Sequence, residues 1–238
     1  FALDADHAAL FAAGDDRLVV IFDRAGKALS PMVAQALGQG MTVLAILTRV
    51  EGWFLSPMIA AFLDEQALAG IFDGYAQVLL AGSGMGGYAA CRLAVHVPGA
   101  QVLAIAPVAT LQTQRASWDR RFAQARRLDF SAPGRFAPHG LDAALRAVVI
   151  HDPARDLDAM QTSLFQAPHI THLRAPLAGL KTQKALARMD LLGVLMADLL
   201  ADRLDRARLG HLLRARRSDA RYLRKLVVRL ASQGSAER

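Results

Sequence analysis

The stretch Gln77-Val78-Leu79-Leu80-Ala81-Gly82-Ser83-Gly84-Met85-Gly86-Gly87-Tyr88-Ala89-Ala90 constrains this chain more than any other. An apolar run ends in a cluster of glycines and then takes up a helix-like pattern. That is a strand feeding a tight turn feeding a helix. The same alternation recurs on both sides of it. Arg17–Phe22 is continuously apolar after its first residue, as in a strand buried on both faces. Ser30-Pro31 and Ser56-Pro57 each pair a capping residue with a proline at the first helical position. Residues 41–47, 101–106, 147–150 and 169–173 supply the remaining strands. The pattern predicts an α/β fold: a mostly parallel, doubly wound sheet of about six strands, helices on both faces and a helical C-terminus. Residues 1–15 are rich in Ala and Asp and read as a short helix or an irregular lead-in. In such sheets sites lie at the carboxyl ends of the strands, and the glycine turn is at one of them.

Two chemistries use a turn like this. Gly82 and Gly86 stand four apart, as do the small flanking residues of a Gly-x-Ser-x-Gly turn, whose central residue takes a strained backbone angle. Here the central residue is Gly84. The stretch resembles the Gly-x-Ser-Met-Gly-Gly nucleophile elbow of the α/β-hydrolase superfamily, with the serine replaced by glycine, and the course from about residue 17 to 180 looks like such a domain. The resemblance implies a vacant nucleophile position at Gly84, with the backbone N–H of Met85 as half of an oxyanion site and a loop N–H near Asp23–Gly26 as the other half. Ser83 is the adjacent hydroxyl and the alternative nucleophile. In hydrolase order the chain runs nucleophile, acid, histidine. Asp152, after the strand at 147–150, then stands at the acid position, although Asp-Pro after a strand is also an ordinary turn opener. The base position falls just after Gly179, where the chain has Leu180; His172, in the last strand, is the alternative base. The second chemistry is nucleotide binding. Gly82-Ser83-Gly84-Met85-Gly86-Gly87 fits G-x-G-x-x-G, but no Asp or Glu occurs between Gly82 and Asp119 to hold a ribose. The pieces Trp118-Asp119-x-Arg121-Phe122, Arg127-Leu128-Asp129-Phe130 and Asp152-Pro153-x3-Leu157-Asp158 are similar to a group of bacterial hydrolase-like proteins, some of which carry a phosphoadenosine-phosphosulfate reductase label. One cysteine, Cys91, and no phosphate loop give that chemistry no support.

The expectation is a hydrolase-like protein without serine hydrolase chemistry, binding or regulatory in role. The alternatives are an active serine-type hydrolase or acyltransferase using Ser83, and a nucleotide-binding protein. No cofactor is implied, and scattered histidines give no metal spacing. An unknown small molecule at the strand ends is the expected ligand.

Charge divides the chain. Residues 1–200 hold 17 Lys/Arg and 17 Asp/Glu; residues 201–238 hold 11 and 4, the whole excess of +7. The expected organisation is a domain over 1–200, with 108–142 as a lid or insertion, and a basic helical extension over 201–238 packed on it. In the last helix Leu223, Leu226, Val227 and Leu230 share one face and Arg221, Arg224, Lys225 and Arg229 the rest. Such a helix would attract an acidic partner, nucleic acid or an anionic membrane, or serve as a solvated outer face. The apolar runs are too short to cross a membrane, and a single cysteine suits a reducing compartment, so a cytoplasmic location is expected.

Overall fold

A computed structural model describes residues 1–236. Its centre is a seven-stranded sheet: β1 (His7–Ala12), β2 (Arg17–Arg24), β3 (Thr42–Thr48), β4 (Gln77–Ser83), β5 (Gln101–Ile105), β6 (Arg146–His151) and β7 (Ile170–Arg174). The spatial order is β1-β3-β2-β4-β5-β6-β7. Every pairing is parallel except β1 with β3. The helices are α1 (Pro31–Gly38), α2 (Pro57–Leu68), α3 (Met85–Leu93), α4 (Thr113–Ala116), α5 (Ala137–Gly140), α6 (Asp156–Thr162), α7 (Thr182–Arg188), α8 (Leu191–Leu200), α9 (Arg206–Leu212) and α10 (Ala220–Ala236).

The expected class is found, with seven strands where about six were expected. The additional strand is β1. The helix or irregular lead-in read over residues 1–15 is therefore corrected to an antiparallel edge strand. Asp4 opens it: its carboxylate accepts from the backbone of Asp6 and His7, both at 2.8 Å, and from Ser56 Oγ at 2.6 Å. Partial burial opposes ionisation there, but these bonds outweigh it and hold the Asp4 carboxyl at about 2.

Alternation in the strands builds two cores. Leu18, Val20 and Phe22 of β2 face one side, with Leu80, Val102, Val149 and α3. Val19 and Ile21 face the other, with Met32 and Val33 of α1 and Leu192, Leu195, Met196 and Leu199 of α8. Both Ser-Pro signals act as helix starts. Ser30 Oγ accepts from Val33 N–H and Ser56 Oγ from Met58 N–H, each at 3.3 Å.

Residues 108–142 form a packed cover rather than a loose loop. Trp53, in the loop after β3, meets Phe122 and Phe130 from this segment edge-on, with ring centres 5.0 and 5.8 Å away. Tyr88 of α3 packs on Phe130 and donates its hydroxyl to the Arg135 carbonyl at 2.8 Å. Its arginines are partly spent in the same packing. Arg126 donates to the Ala116 carbonyl at 2.8 Å, and Arg115 lies over the Phe136 ring.

Candidate functional site

The turn after β4 has the geometry its glycines require. Gly84 sits at φ 55°, ψ −114°, at the N-cap of α3. Its N–H donates to the Ile105 carbonyl and its own carbonyl accepts from Tyr88 N–H, both at 2.9 Å. Glycine adopts this angle at little cost. A Cβ at Gly84 would have nothing within 4 Å, so a side chain here would enter open space. The flanking glycines are fixed for another reason, close approach. A Cβ on Gly86 would lie 2.0 Å from the carbonyl oxygen of Phe22 in the central strand, and one on Gly82 would lie 2.2 Å from the Gly86 oxygen. Helix α3 therefore packs directly on β2 and β4.

Beside this turn, at the carboxyl ends of β2, β3 and β4, is a cleft of about 410 Å³. Its wall includes Trp53, Phe54, Met85 and Phe122, and its polar lining is Asp23, Arg24, Glu51, Ser83, Gln183 and Lys184. Charges at the rim balance: Arg24 pairs with Glu51 at 2.8 Å, and Gln183 Nε2 donates to Asp23 at 3.2 Å. The Met85 N–H, first in its helix, has no intrahelical acceptor and is favoured for a negatively polarised oxygen. Trp53 and Phe54 are both buried and both take positive φ, 55° and 54°. Strain of about 1–3 kcal/mol each is offset by the packing of their rings.

Asp152 lies directly after β6, almost wholly buried at 1% exposure. Its oxygens face backbone. Oδ1 accepts from Ala154 N–H at 3.0 Å and from Leu177 N–H at 3.1 Å, and Oδ2 from Gly179 N–H at 2.7 Å. The carboxylate thus clamps the loop after β7 at residues on either side of Ala178. Leu180 follows on that loop, 63% exposed and outside the cleft lining. The structure brings Asp152 and the segment carrying Leu180 together, and it places Ser83, Met85 and the Gly84 turn beside the cleft. His172 is elsewhere: its Nε2 bonds the Phe165 carbonyl at 2.8 Å on the sheet face that also carries Ile170, and no histidine lines the cleft. Cys91 is fully buried in α3, and burial pushes its thiol far up.

Sequence reasoning missed Glu51, Trp53, Phe54, Gln183 and Lys184. Trp53-Phe54 carried a usable signal, an aromatic pair just beyond a strand's carboxyl end. Gln183 and Lys184 carried none, since only the return of α7 past β2 brings them near.

Behind the cleft the cover is fastened by ionic bonds. Arg121 donates to Asp119 through Nε and Nη2, at 2.9 and 2.7 Å, and to Asp158 of α6 through Nη1. Gln161 adds a bond to Asp119 at 2.9 Å and ties the backbone of Ala109 and Thr110. Burial of Asp119 disfavours its charge, but the bonds from Arg121 and Gln161 prevail and hold its carboxyl below the ordinary range. A depressed folded-state value means stability that is present above about pH 4 and lost as pH falls through the folded value. Urea denaturation across acid pH should therefore show stability falling on acidification, with a shallower fall in Asp119→Asn.

No protein-family model matches the chain, and no curated relative does. Solved structures do resemble it. MPT51 (FbpC1) of Mycobacterium tuberculosis superposes with a TM-score of 0.55 at 18% identity, covering 84% of this chain and 94% of that one. The capsule O-acetyltransferase of Neisseria meningitidis serogroup A gives 0.54 at 12%, covering 83% and 92%. Carboxyl esterase 2 of the fungus Tuber melanosporum gives 0.52 at 13%, covering 83% and 88%. At these identities the likeness is one of fold, and the fold is the α/β-hydrolase architecture.

Proposed function

We propose that the strand-end cleft takes an ester- or acyl-type small molecule and binds it without serine-mediated cleavage. The observation that carries this is the turn itself. Gly84 keeps the strained angle with open space where a side chain would stand, while the cleft beside it retains an apolar wall and the Met85 N–H. A serine triad needs an attacking oxygen, an imidazole to take its proton and a carboxylate to orient that imidazole. Glycine at 84 offers no oxygen and leucine at 180 offers no base, while the Asp152 carboxylate holds three backbone amides instead of an imidazole. The cleft volume is in the small-molecule range of about 300–1,000 Å³.

A second reading is favoured by one observation: Ser83 lines the cleft. The fold neighbours named as an esterase and an O-acetyltransferase support the same direction. In that reading Ser83 Oγ attacks the acyl carbon, a general base other than histidine takes its proton, and the ester C–O bond breaks as the alcohol leaves with that proton.

Fluorophosphonate labelling and p-nitrophenyl ester hydrolysis separate the two. The expected result is an unlabelled parent with hydrolysis at the buffer rate. Gly84→Ser with Leu180→His should then label, and hydrolyse about 10²–10⁴-fold faster than Gly84→Ser alone, the usual worth of a general base. An ionised carboxylate has about four lone-pair positions; Asp152 uses three, so Oδ2 retains one for the new imidazole. Labelling of the parent that disappears in Ser83→Ala would replace the binding reading with the hydrolytic one.

A further inference from the structure

Helix α10 leans on the body by one edge only. Tyr222 and Leu226 are half-buried, and Lys225 donates to the carbonyls of Leu177 and Ala178 at 3.1 and 3.0 Å. At 3.6 residues per turn, Leu223, Val227 and Leu230 continue the apolar side away from that edge. They are 42%, 65% and 58% exposed. Arg221, Arg224, Lys225 and Arg229 occupy the opposite side, interrupted only by Val228. Arg214, Arg216 and Arg217 precede the helix. The acid among them, Asp219, is already paired with Arg188 at 2.8 Å. Burial opposes its ionisation, but the Arg188 bond and backbone donors outweigh it and hold its carboxyl low.

We infer that α10 is an in-plane docking helix for an anionic membrane surface, a role that goes beyond ligand binding in the cleft and does not depend on it. A helix with an apolar row open to solvent and a cationic opposite side matches the interfacial type, whose apolar row sinks into the acyl boundary while the cations meet headgroups. No helix among the described residues is long and apolar enough to cross a membrane, so the geometry is one of lying on the surface. Charge complementarity decides between occupants. A second copy of α10 would set cation against cation. Nucleic acid would satisfy the arginines and leave Leu223, Val227 and Leu230 in water. An anionic bilayer satisfies both sides at once. Docked this way, the bilayer meets the side of α10 turned away from the loop at Leu177 and Ala178, which Lys225 holds.

The test is co-sedimentation of the full chain with vesicles of phosphatidylcholine alone and of phosphatidylcholine mixed with phosphatidylglycerol. Binding is expected to the mixed vesicles and to weaken as salt is raised. Leu223→Gln, Val227→Gln and Leu230→Gln together keep helix propensity and should weaken it roughly a hundredfold, as three exposed apolar anchors would. Arg221→Gln, Arg224→Gln and Arg229→Gln together should weaken it by a similar factor, from the worth of each cation near an anionic surface. All six positions are exposed, so unchanged thermal melting is expected in both variants. Absence of binding to either vesicle, equal binding to both, or an apolar variant that binds like the parent would overturn the proposal. So would retention of duplex DNA, or of a polyglutamate peptide, at salt where the vesicles do not bind.

Discussion

Gly86→Ala is expected to leave the protein unfolded or to cost it about 3 kcal/mol or more. The added methyl would lie 2.0 Å from the Phe22 carbonyl oxygen and 3.0 Å from its carbon. Neither can move cheaply, because Phe22 is in β2, which pairs with β3 on one side and β4 on the other. Helix α3 would have to lift, opening the contacts of Tyr88, Ala89 and Ala90 in the core. Gly84→Ala, two residues away, is the control. Its methyl meets nothing within 4 Å, so only the backbone angle is penalised, by about 1–3 kcal/mol. Urea denaturation of the pair distinguishes them, and a Gly86→Ala protein as stable as Gly84→Ala would refute the packing argument. A serine at 84 would carry the same backbone penalty, so the glycine stabilises the turn relative to any residue with a side chain.

Asp152→Ala is expected to cost about 1.5–3 kcal/mol, because three part-buried N–H groups lose one shared, charged acceptor. Asp152→Asn, which keeps an acceptor oxygen, should recover part of the loss. Hydrogen exchange gives the local signature: the amides of Leu177 and Gly179 should exchange faster in the alanine variant, while those within β6 change less. Unaltered exchange at those two amides would show that the loop is held by other bonds, such as those from Lys225 and Thr182.

The six strands β2 to β7 were legible because continuous apolar runs between cap and turn signals have few other solutions. Strand β1 was not. His7-Ala8-Ala9-Leu10-Phe11-Ala12 is half alanine, a weak strand former, and its order comes from pairing His7 with Thr48 and Ala12 with Val43 across a long stretch of chain. The glycine turn was legible in shape because each glycine answers a local demand. The partners of Asp152 were not, since Leu177 and Gly179 come near it only once β6 and β7 are side by side. The cleft lining was half legible: Ser83 and Met85 belong to the turn itself, whereas Gln183 and Lys184 reach it through tertiary packing.

The strand order also has a consequence for how the chain reaches its native state. β2 pairs Arg17 with Gln77 of β4, and the chain between them must already have looped out through β3 and two helices. The centre of the sheet therefore closes late, after the closure entropy of long loops has been met. Until then apolar β2 has an unpaired edge, and slow refolding with aggregation that grows with concentration is expected. A nascent chain truncated before β4 would hold that edge open throughout its synthesis.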